Sequence, residues 1–137
     1  MVERGHKVHV SAPEISADME AKLRSLGANV HHVALGRTGT NPLTDIAYAI
    51  SLYRIMRRIR ADRVIGYTIK PNIWGSIAAY FAGGRSASMV TGLGLSFIPG
   101  GGMRRQLLQA LMQKLYGVAT KSNDRVIFQN PDDRRDF

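Results

Sequence analysis

Short apolar runs alternate with amphipathic stretches along the chain. The apolar runs are typical of buried parallel strands, and they fall at residues 7–12, 29–35, 63–68, 87–91 and 125–129. Apolar residues at helical spacing lie between them, at about residues 16–26, 44–60, 72–82 and 103–119. Strands that alternate with helices predict the α/β class, here a Rossmann-like open parallel sheet with helices on both faces.

Two of the predicted helices have a clear core face. In the second helix the apolar positions are Tyr48, Leu52, Ile55, Met56 and Ile59, and Arg54, Arg57 and Arg58 fall on the opposite side. In the last long helix the residues expected to point inward are Leu107, Leu108, Leu111, Met112 and Leu115. This spacing predicts helices that pack one face against the sheet.

Polar turns follow three of the predicted strands. In VIGYTIKPNIWG, residues 64–75, an apolar strand leads into a turn that carries Thr68, Lys70 and Asn72, and Pro71 suits the first turn of a helix. TGLG at 91–94 and FQNPDD at 128–133 repeat the arrangement. Because ligands bind at the carboxyl ends of parallel strands, we expect the three turns to form one candidate site.

The bulk properties indicate a single globular domain with an excess of positive charge. The 137 residues are 45% hydrophobic, contain no cysteine, and carry 19 Lys and Arg against 10 Asp and Glu, for a net charge of +9. Such an excess favours anionic partners, which include nucleic acid, acidic lipid and phosphorylated small molecules. The alternative is a basic surface that has no specific partner. Nucleic acid is the poorest option, because the aromatic residues do not interleave with the arginines as a stacking platform requires.

Several common chemistries lack their motifs. The chain has no P-loop, no GxGxxG dinucleotide fingerprint and no nucleophile elbow. The absent fingerprint weighs against a nucleotide-sugar epimerase or dehydrogenase. Its histidines are His6, His9, His31 and His32, which do not have the spacing of metal ligands. His31 and His32 are adjacent on a predicted strand and should point to opposite faces.

The glycine-rich segment 92–102 leads directly into a predicted helix. Gly92 and Gly94 allow a backbone to approach a ligand, and Arg104 and Arg105 follow at the helix N-terminus. Backbone amides, the helix dipole and two guanidinium groups would suit a phosphate. Alternatively, the glycines only shape a loop and the arginines stay solvated. The apolar residues of the segment suit either a lipid surface or a lid on the core, and they are Leu95, Phe97 and Ile98.

The remaining polar candidates favour sugar hydroxyls and phosphates. Lys70 and Asn72 lie at one strand end, and Gln129 and Asn130 lie at another. Helix capping alone would explain the two acids that follow, Asp132 and Asp133. The arginines of the second helix are either a solvated face or a basic patch that faces a membrane.

YTIKPNIWGS, TGLG and VIFQNPDD, in this order and spacing, resemble the N-terminal domain of bacterial family 4 glycosyltransferases. The resemblance is strongest to the branch that extends lipid-linked sugars in polysaccharide assembly, and it covers nearly the whole chain. It implies one half of a GT-B fold, in which this domain handles the acceptor and a C-terminal domain holds the nucleotide-sugar. By resemblance, the cleft residues are Tyr67, Lys70, Asn72, Thr91, Gly92, Gly94, Gln129, Asn130 and Asp133.

The reaction implied is transfer of a hexose or N-acetylhexosamine, with retention, from a nucleotide-sugar to a polyprenyl-diphosphate-linked sugar. Neither a metal nor another cofactor is expected, and Arg104 and Arg105 would contact phosphate or membrane. The expected setting is cytoplasmic, on the anionic surface of the inner membrane, without nucleic acid.

Compared with this family, residues 1–137 are expected to be a single partial domain. The first strand of the family and the whole donor-binding domain have no counterpart in the sequence, so we expect the chain to be inactive alone. The other interpretation is a non-catalytic basic module that binds anionic membrane or nucleic acid.

Overall fold

The computed structural model describes residues 1–35, 42–91 and 103–136. The chain divides into two compact units, Met1–Tyr48 and Ala49–Phe137. Both contain parallel strands joined through helices, which confirms the predicted Rossmann-like α/β class.

The first unit is built on one strand–helix–strand repeat. Strand β1 (His9–Ala12) pairs in parallel with β2 (Asn29–His32), and helix α1 (Ala17–Ser25) connects them. Ser16 caps α1, because its hydroxyl accepts a hydrogen bond from the Met19 backbone amide at 3.3 Å. Both strands are shorter than the sequence predicts, since each is paired only along the four residues that face its partner.

Helix α2 (Pro42–Ile59) begins two residues earlier than expected. Tyr48, Leu52 and Met56 are buried, as predicted from their helical spacing. The arginines on the other side of the helix, Arg54, Arg57 and Arg58, are exposed.

The second unit is a three-stranded parallel sheet with the order β3-β4-β5. The elements, in chain order, are β3 (Arg63–Tyr67), α3 (Ile69–Ala82), β4 (Arg85–Val90), α4 (Met103–Lys121), β5 (Arg125–Phe128) and α5 (Pro131–Asp136). Pro131 is the first residue of α5, as predicted.

Helices α3 and α4 cover the same face of this sheet. The buried cluster between them consists of Ile73, Val90, Tyr116 and Ala119. Side chains alternate across a strand, so Ile65, Tyr67 and Ile127 point to the opposite face, where they are exposed.

Polar side chains lie on the covered face of the sheet, on β4 and beside it. Asn123 Nδ2 donates to Ser88 Oγ at 2.6 Å, and Asn123 Oδ1 accepts from Ser86 Oγ at the same distance. Ser88 also lies 3.5 Å from the Ser76 hydroxyl of α3. Hydrogen bonding offsets the cost of burying these groups.

The inward face of α4 differs from the prediction. Leu107 and Leu111 are 73% and 52% exposed, whereas Tyr116 and Ala119 are buried and Met112 packs beside them. The predicted face was therefore wrong at its amino-terminal end. The physical reason is that α4 packs against the core through its second half, where Met112 and Leu115 of the predicted face lie beside Tyr116 and Ala119.

Candidate functional site

The carboxyl ends of β3, β4 and β5 lie at one edge of the sheet. Tyr67 is the last residue of β3, Thr91 follows β4, and Gln129 and Asn130 follow β5. Since the strands are parallel neighbours, these three strand ends converge as the sequence predicts. We call this edge the carboxyl rim.

One hydrogen bond joins the two outer strands of the rim. Gln129 Nε2 donates to the Tyr67 hydroxyl at 3.2 Å, across the end of β4. The Gln129 backbone amide also donates to Val90 O at 3.2 Å, which extends the pairing beyond β5. Tyr67 is 52% exposed, so its hydroxyl and the Gln129 amide are accessible to a ligand.

The turn after β3 has an unusual backbone conformation. Thr68 precedes α3 with φ 72° and ψ 170°, a positive φ that residues other than glycine rarely adopt. The Thr68 carbonyl accepts the Asn72 amide at 3.0 Å, which starts the helix. Strain of this kind costs on the order of 1–3 kcal/mol and is concentrated at ligand-binding segments. Pro71 lies in the first turn of α3, as predicted, and Lys70 is half-buried there.

Asn72 differs from the other rim candidates because its side chain is completely buried. Its Nδ2 donates to Met89 O at 2.9 Å and to the Tyr116 hydroxyl at 2.7 Å. Gly66 leaves room for it, since a Cβ at that position would lie 2.5 Å from Asn72 Oδ1. Asn72 was expected to line the cleft, but its side chain instead joins α3 to β4 and α4 through these two hydrogen bonds.

Tyr116 was not among the predicted site residues, although it supports the rim through Asn72. Burial raises the pKa of its phenol, and the hydrogen bond from Asn72 partly offsets the rise. Its spacing from Met112 and Ala119 indicates a core position in the sequence. Nothing in the sequence indicates its partner, which lies 44 residues away.

The other candidates are described only in part. Gly92 and Gly94, with the apolar residues of their segment, lie outside the described residues. Arg104 and Arg105 fall in the first turn of α4 and Asp133 falls in α5, and their side chains lie outside the described part. Thr91 is half-buried and Asn130 is exposed.

His31 and His32 pair with neighbours on opposite faces of β2, as predicted for adjacent strand residues. The imidazoles of His9 and His31 hydrogen-bond at 2.9 Å, and His32 Nε2 lies 2.9 Å from Glu20 Oε2. Hydrogen bonds from Arg24 and then His32 hold the pKa of Glu20 below its usual value. Across the described ranges, no group of three His, Asp or Glu side chains could hold a metal ion.

Parallel strands, connecting helices and polar turns at the carboxyl rim define a Rossmann-like domain of the kind found in GT-B enzymes. The structure is similar to the crystal structure of MurG from Acinetobacter baumannii, with a TM-score of 0.59 and 15% sequence identity. The similarity covers 96% of this chain and 34% of that chain, so this sequence spans about a third of the MurG chain.

The family is shown by the sequence itself. Residues 1–130 match the family described as Glycosyl transferase 4-like. The chain therefore belongs to the family 4 glycosyltransferases, which confirms the resemblance seen in its motifs. No curated protein sequence matches the chain.

Proposed function

We propose that this chain forms the acceptor side of a glycosyltransferase. The enzyme would transfer a hexose or N-acetylhexosamine from a nucleotide-sugar to a polyprenyl-diphosphate-linked sugar, with retention of configuration. Membership of the family supports the activity. A donor-binding domain of the GT-B type would complete the cleft.

The Tyr67–Gln129 hydrogen bond is the observation that carries this proposal. It holds a phenol and an amide side by side on an exposed edge, and both groups can donate and accept hydrogen bonds. A sugar hydroxyl has the same dual capacity. Neutral groups at this position favour recognition of a sugar over nonspecific attraction of any anion.

The rim would contribute to catalysis by orienting the acceptor. Fixing the attacking hydroxyl in one position lowers the entropic part of the barrier. Lys70, Arg104 and Arg105 are the cations of the rim segments, and they would stabilise the negative charge of a nearby diphosphate. Arg104 and Arg105 would also favour docking on an anionic inner-membrane surface from the cytoplasmic side.

A non-catalytic basic module remains the second candidate because the net charge is +9 and three arginines of α2 are exposed. None of the described helices is long and apolar enough to cross a bilayer. The two candidates predict different responses to salt. Nonspecific binding of phosphates weakens log-linearly with salt concentration, whereas recognition of a sugar by neutral groups persists.

The test measures binding of a short prenyl-diphosphate-linked N-acetylhexosamine to the purified chain by calorimetry. Tyr67→Phe should weaken binding about fivefold, because one hydrogen bond contributes about 1 kcal/mol. Tyr80→Phe is the matched control, since Tyr80 is an exposed tyrosine of α3, and it should bind like the wild type.

Two results would contradict the proposal. One is equal affinity for the sugar-linked compound and for the prenyl diphosphate without sugar, at both low and high salt. The other is sugar transfer by the purified chain alone, which would show that it supplies more than the acceptor side.

A further inference from the structure

A second concave surface lies at the opposite edge of the same sheet. It is a pocket of about 420 Å³ between the end of α2, the end of α3 and the amino ends of β3 and β4. Its lining includes four arginines, Arg57, Arg60, Arg63 and Arg85. We call it the arginine pocket.

Positive charge in the arginine pocket is only partly neutralised. Arg85 Nε lies 2.8 Å from Asp124 Oδ2, and Arg63 Nη1 lies 3.6 Å from the same oxygen. Asp62 is the one acid among the lining residues. Arg57 and Arg60 form no ion pair with any residue of the described ranges. Two of the four arginines therefore share the Asp124 carboxylate, and the other two have no ion-pair partner in the described ranges.

Arg60 occupies a backbone position that favours glycine. Its φ is 52°, in the left-handed region, directly after the last residue of α2. The corresponding left-handed positions after α1 and α3 are Gly27 and Gly83. Glycine adopts this conformation without the strain that a side chain adds. A cation is thus present where the backbone favours a residue without a side chain.

The backbone around the arginine pocket is closely packed. The Arg85 amide donates to Asp62 O at 3.0 Å, and a Cβ on Gly84 would lie 2.6 Å from Ala61 O. Arg63 and Arg85 are register partners on adjacent strands, and Arg57 lies one helical turn before Arg60. This packing brings the four residues together at one edge of the sheet, where they line one pocket.

We propose that the arginine pocket binds a phosphate-bearing anion. Guanidinium groups match the oxygens of a phosphate in a bidentate manner, and the charge excess suits a diphosphate or a phosphorylated headgroup. Strand β3 has five residues and separates the pocket from the carboxyl rim by roughly 15 Å. The site is therefore distinct from the acceptor site, and the inference does not rest on the proposed function.

The test compares two double variants that remove the same charge from α2 and the turn that follows it. Arg57→Ala with Arg60→Ala empties one wall of the pocket, and Arg54→Ala with Arg58→Ala removes two exposed arginines that do not line it. Calorimetry with inorganic pyrophosphate should show a loss of at least about tenfold in the first variant and less than about twofold in the second. Equal losses of pyrophosphate affinity in the two variants would overturn the proposal. So would a wild-type protein that binds neither pyrophosphate nor vesicles that contain an anionic phospholipid.

Arg60→Gly separates binding from folding. It removes a pocket cation and also relieves the left-handed strain, so the melting temperature should stay equal or rise while pyrophosphate binding weakens. Wild-type affinity in this variant would count against the pocket.

The source of the phosphate is decided with vesicles of phosphatidylcholine containing one-fifth phosphatidylglycerol. If the wild type binds them and the Arg57/Arg60 variant alone loses this binding, the ligand is a lipid headgroup. If the loss is confined to pyrophosphate, the ligand is a soluble diphosphate. If the wild type does not bind pyrophosphate and both double variants lose vesicle binding equally, no phosphate site exists at this edge.

Discussion

The two edges of the β3-β4-β5 sheet present different chemistry. At the carboxyl rim the Tyr67 phenol and the Gln129 amide are exposed, and a hydrogen bond joins them. The amino edge instead has guanidinium groups around a pocket, and only two of the four share a carboxylate. Neutral groups select by geometry, whereas clustered cations select by charge. The two proposals therefore assign recognition of a sugar to one edge of the sheet and attraction of a phosphate to the other.

Among the substitutions that should affect one edge and not the other, Gly66→Ala is expected to change the free energy of unfolding most. The added Cβ would meet Asn72 Oδ1 at 2.5 Å and the Asn72 Cα at 3.0 Å. We expect the free energy of unfolding to fall by about 3 kcal/mol, because the clash also disturbs the hydrogen bonds of Asn72. Acceptor binding at the rim should be lost, while pyrophosphate binding by the molecules that remain folded should persist.

Gly75→Ala is the matched control for this substitution. Gly75 lies in the same helix as Asn72, and a Cβ there would meet nothing within 4 Å. Alanine should stabilise α3 by up to about 1 kcal/mol. Urea titrations of the two variants measure the difference. Similar stability for both would show that the Gly66–Asn72 contact does not hold the rim.

The sequence predicted the general plan of the sheet because strand periodicity and polar turns are local signals. The five strands found in the described part of the chain were all predicted. The convergence of Tyr67 and Gln129 follows because neighbouring parallel strands end at the same edge of a sheet. The fate of Asn72 could not be predicted in this way. A polar residue at a strand end is ordinarily exposed, and the burial of this one depends on Gly66 and on Tyr116, which lies 44 residues away.

The arginine pocket was beyond sequence analysis for a similar reason. Periodicity grouped Arg57 with Arg54 and Arg58 as one helical face. The structure leaves all three exposed and also places Arg57 beside Arg60, Arg63 and Arg85. These four residues come from three elements and the turn after α2, so only the folded chain brings them together.

A smaller, pH-dependent effect is expected from Tyr116, which supports the rim through Asn72. The reference pKa of a tyrosine is 10.0, and burial raises the pKa of Tyr116 above it. Between these two values the unfolded phenol loses its proton and the folded one keeps it. The free energy of unfolding therefore falls as pH rises above 10, by up to about 1.4 kcal/mol per pH unit for one group.

Tyr116→Phe should reduce that alkaline slope, measured by urea titration at several pH values. Burial raises the pKa of Tyr48 to about 12, so part of the slope should remain in the variant. Tyr80→Phe, which removes an exposed hydroxyl of α3, is measured alongside as the matched substitution. An unchanged slope in Tyr116→Phe would argue against a buried phenol beneath the rim.

The smallest effect on stability is expected at the amino edge, from Asp124→Asn. This substitution should lower the free energy of unfolding slightly and strengthen pyrophosphate binding. The carboxylate pairs with Arg63 and Arg85, whose side chains are 72% and 66% exposed, and exposed ion pairs contribute less than about 1 kcal/mol. The backbone bond from the Asp124 amide to Ser86 O, at 2.8 Å, does not depend on the side chain. The fold should therefore tolerate the change. Pyrophosphate should bind about threefold more tightly, because the variant lacks a repulsion of about 0.7 kcal/mol between the Asp124 carboxylate and the bound anion.

Asp132→Asn makes the same charge change elsewhere and is the control for this experiment. Asp132 pairs with Arg135 on α5 at 3.2 Å, and it does not line the arginine pocket. Its substitution should leave pyrophosphate affinity within about 1.5-fold of the wild type at moderate salt, where distant charges are screened. If both variants tightened binding equally, net charge rather than the pocket would control the anion, and the two edges would not differ in the way their side chains indicate.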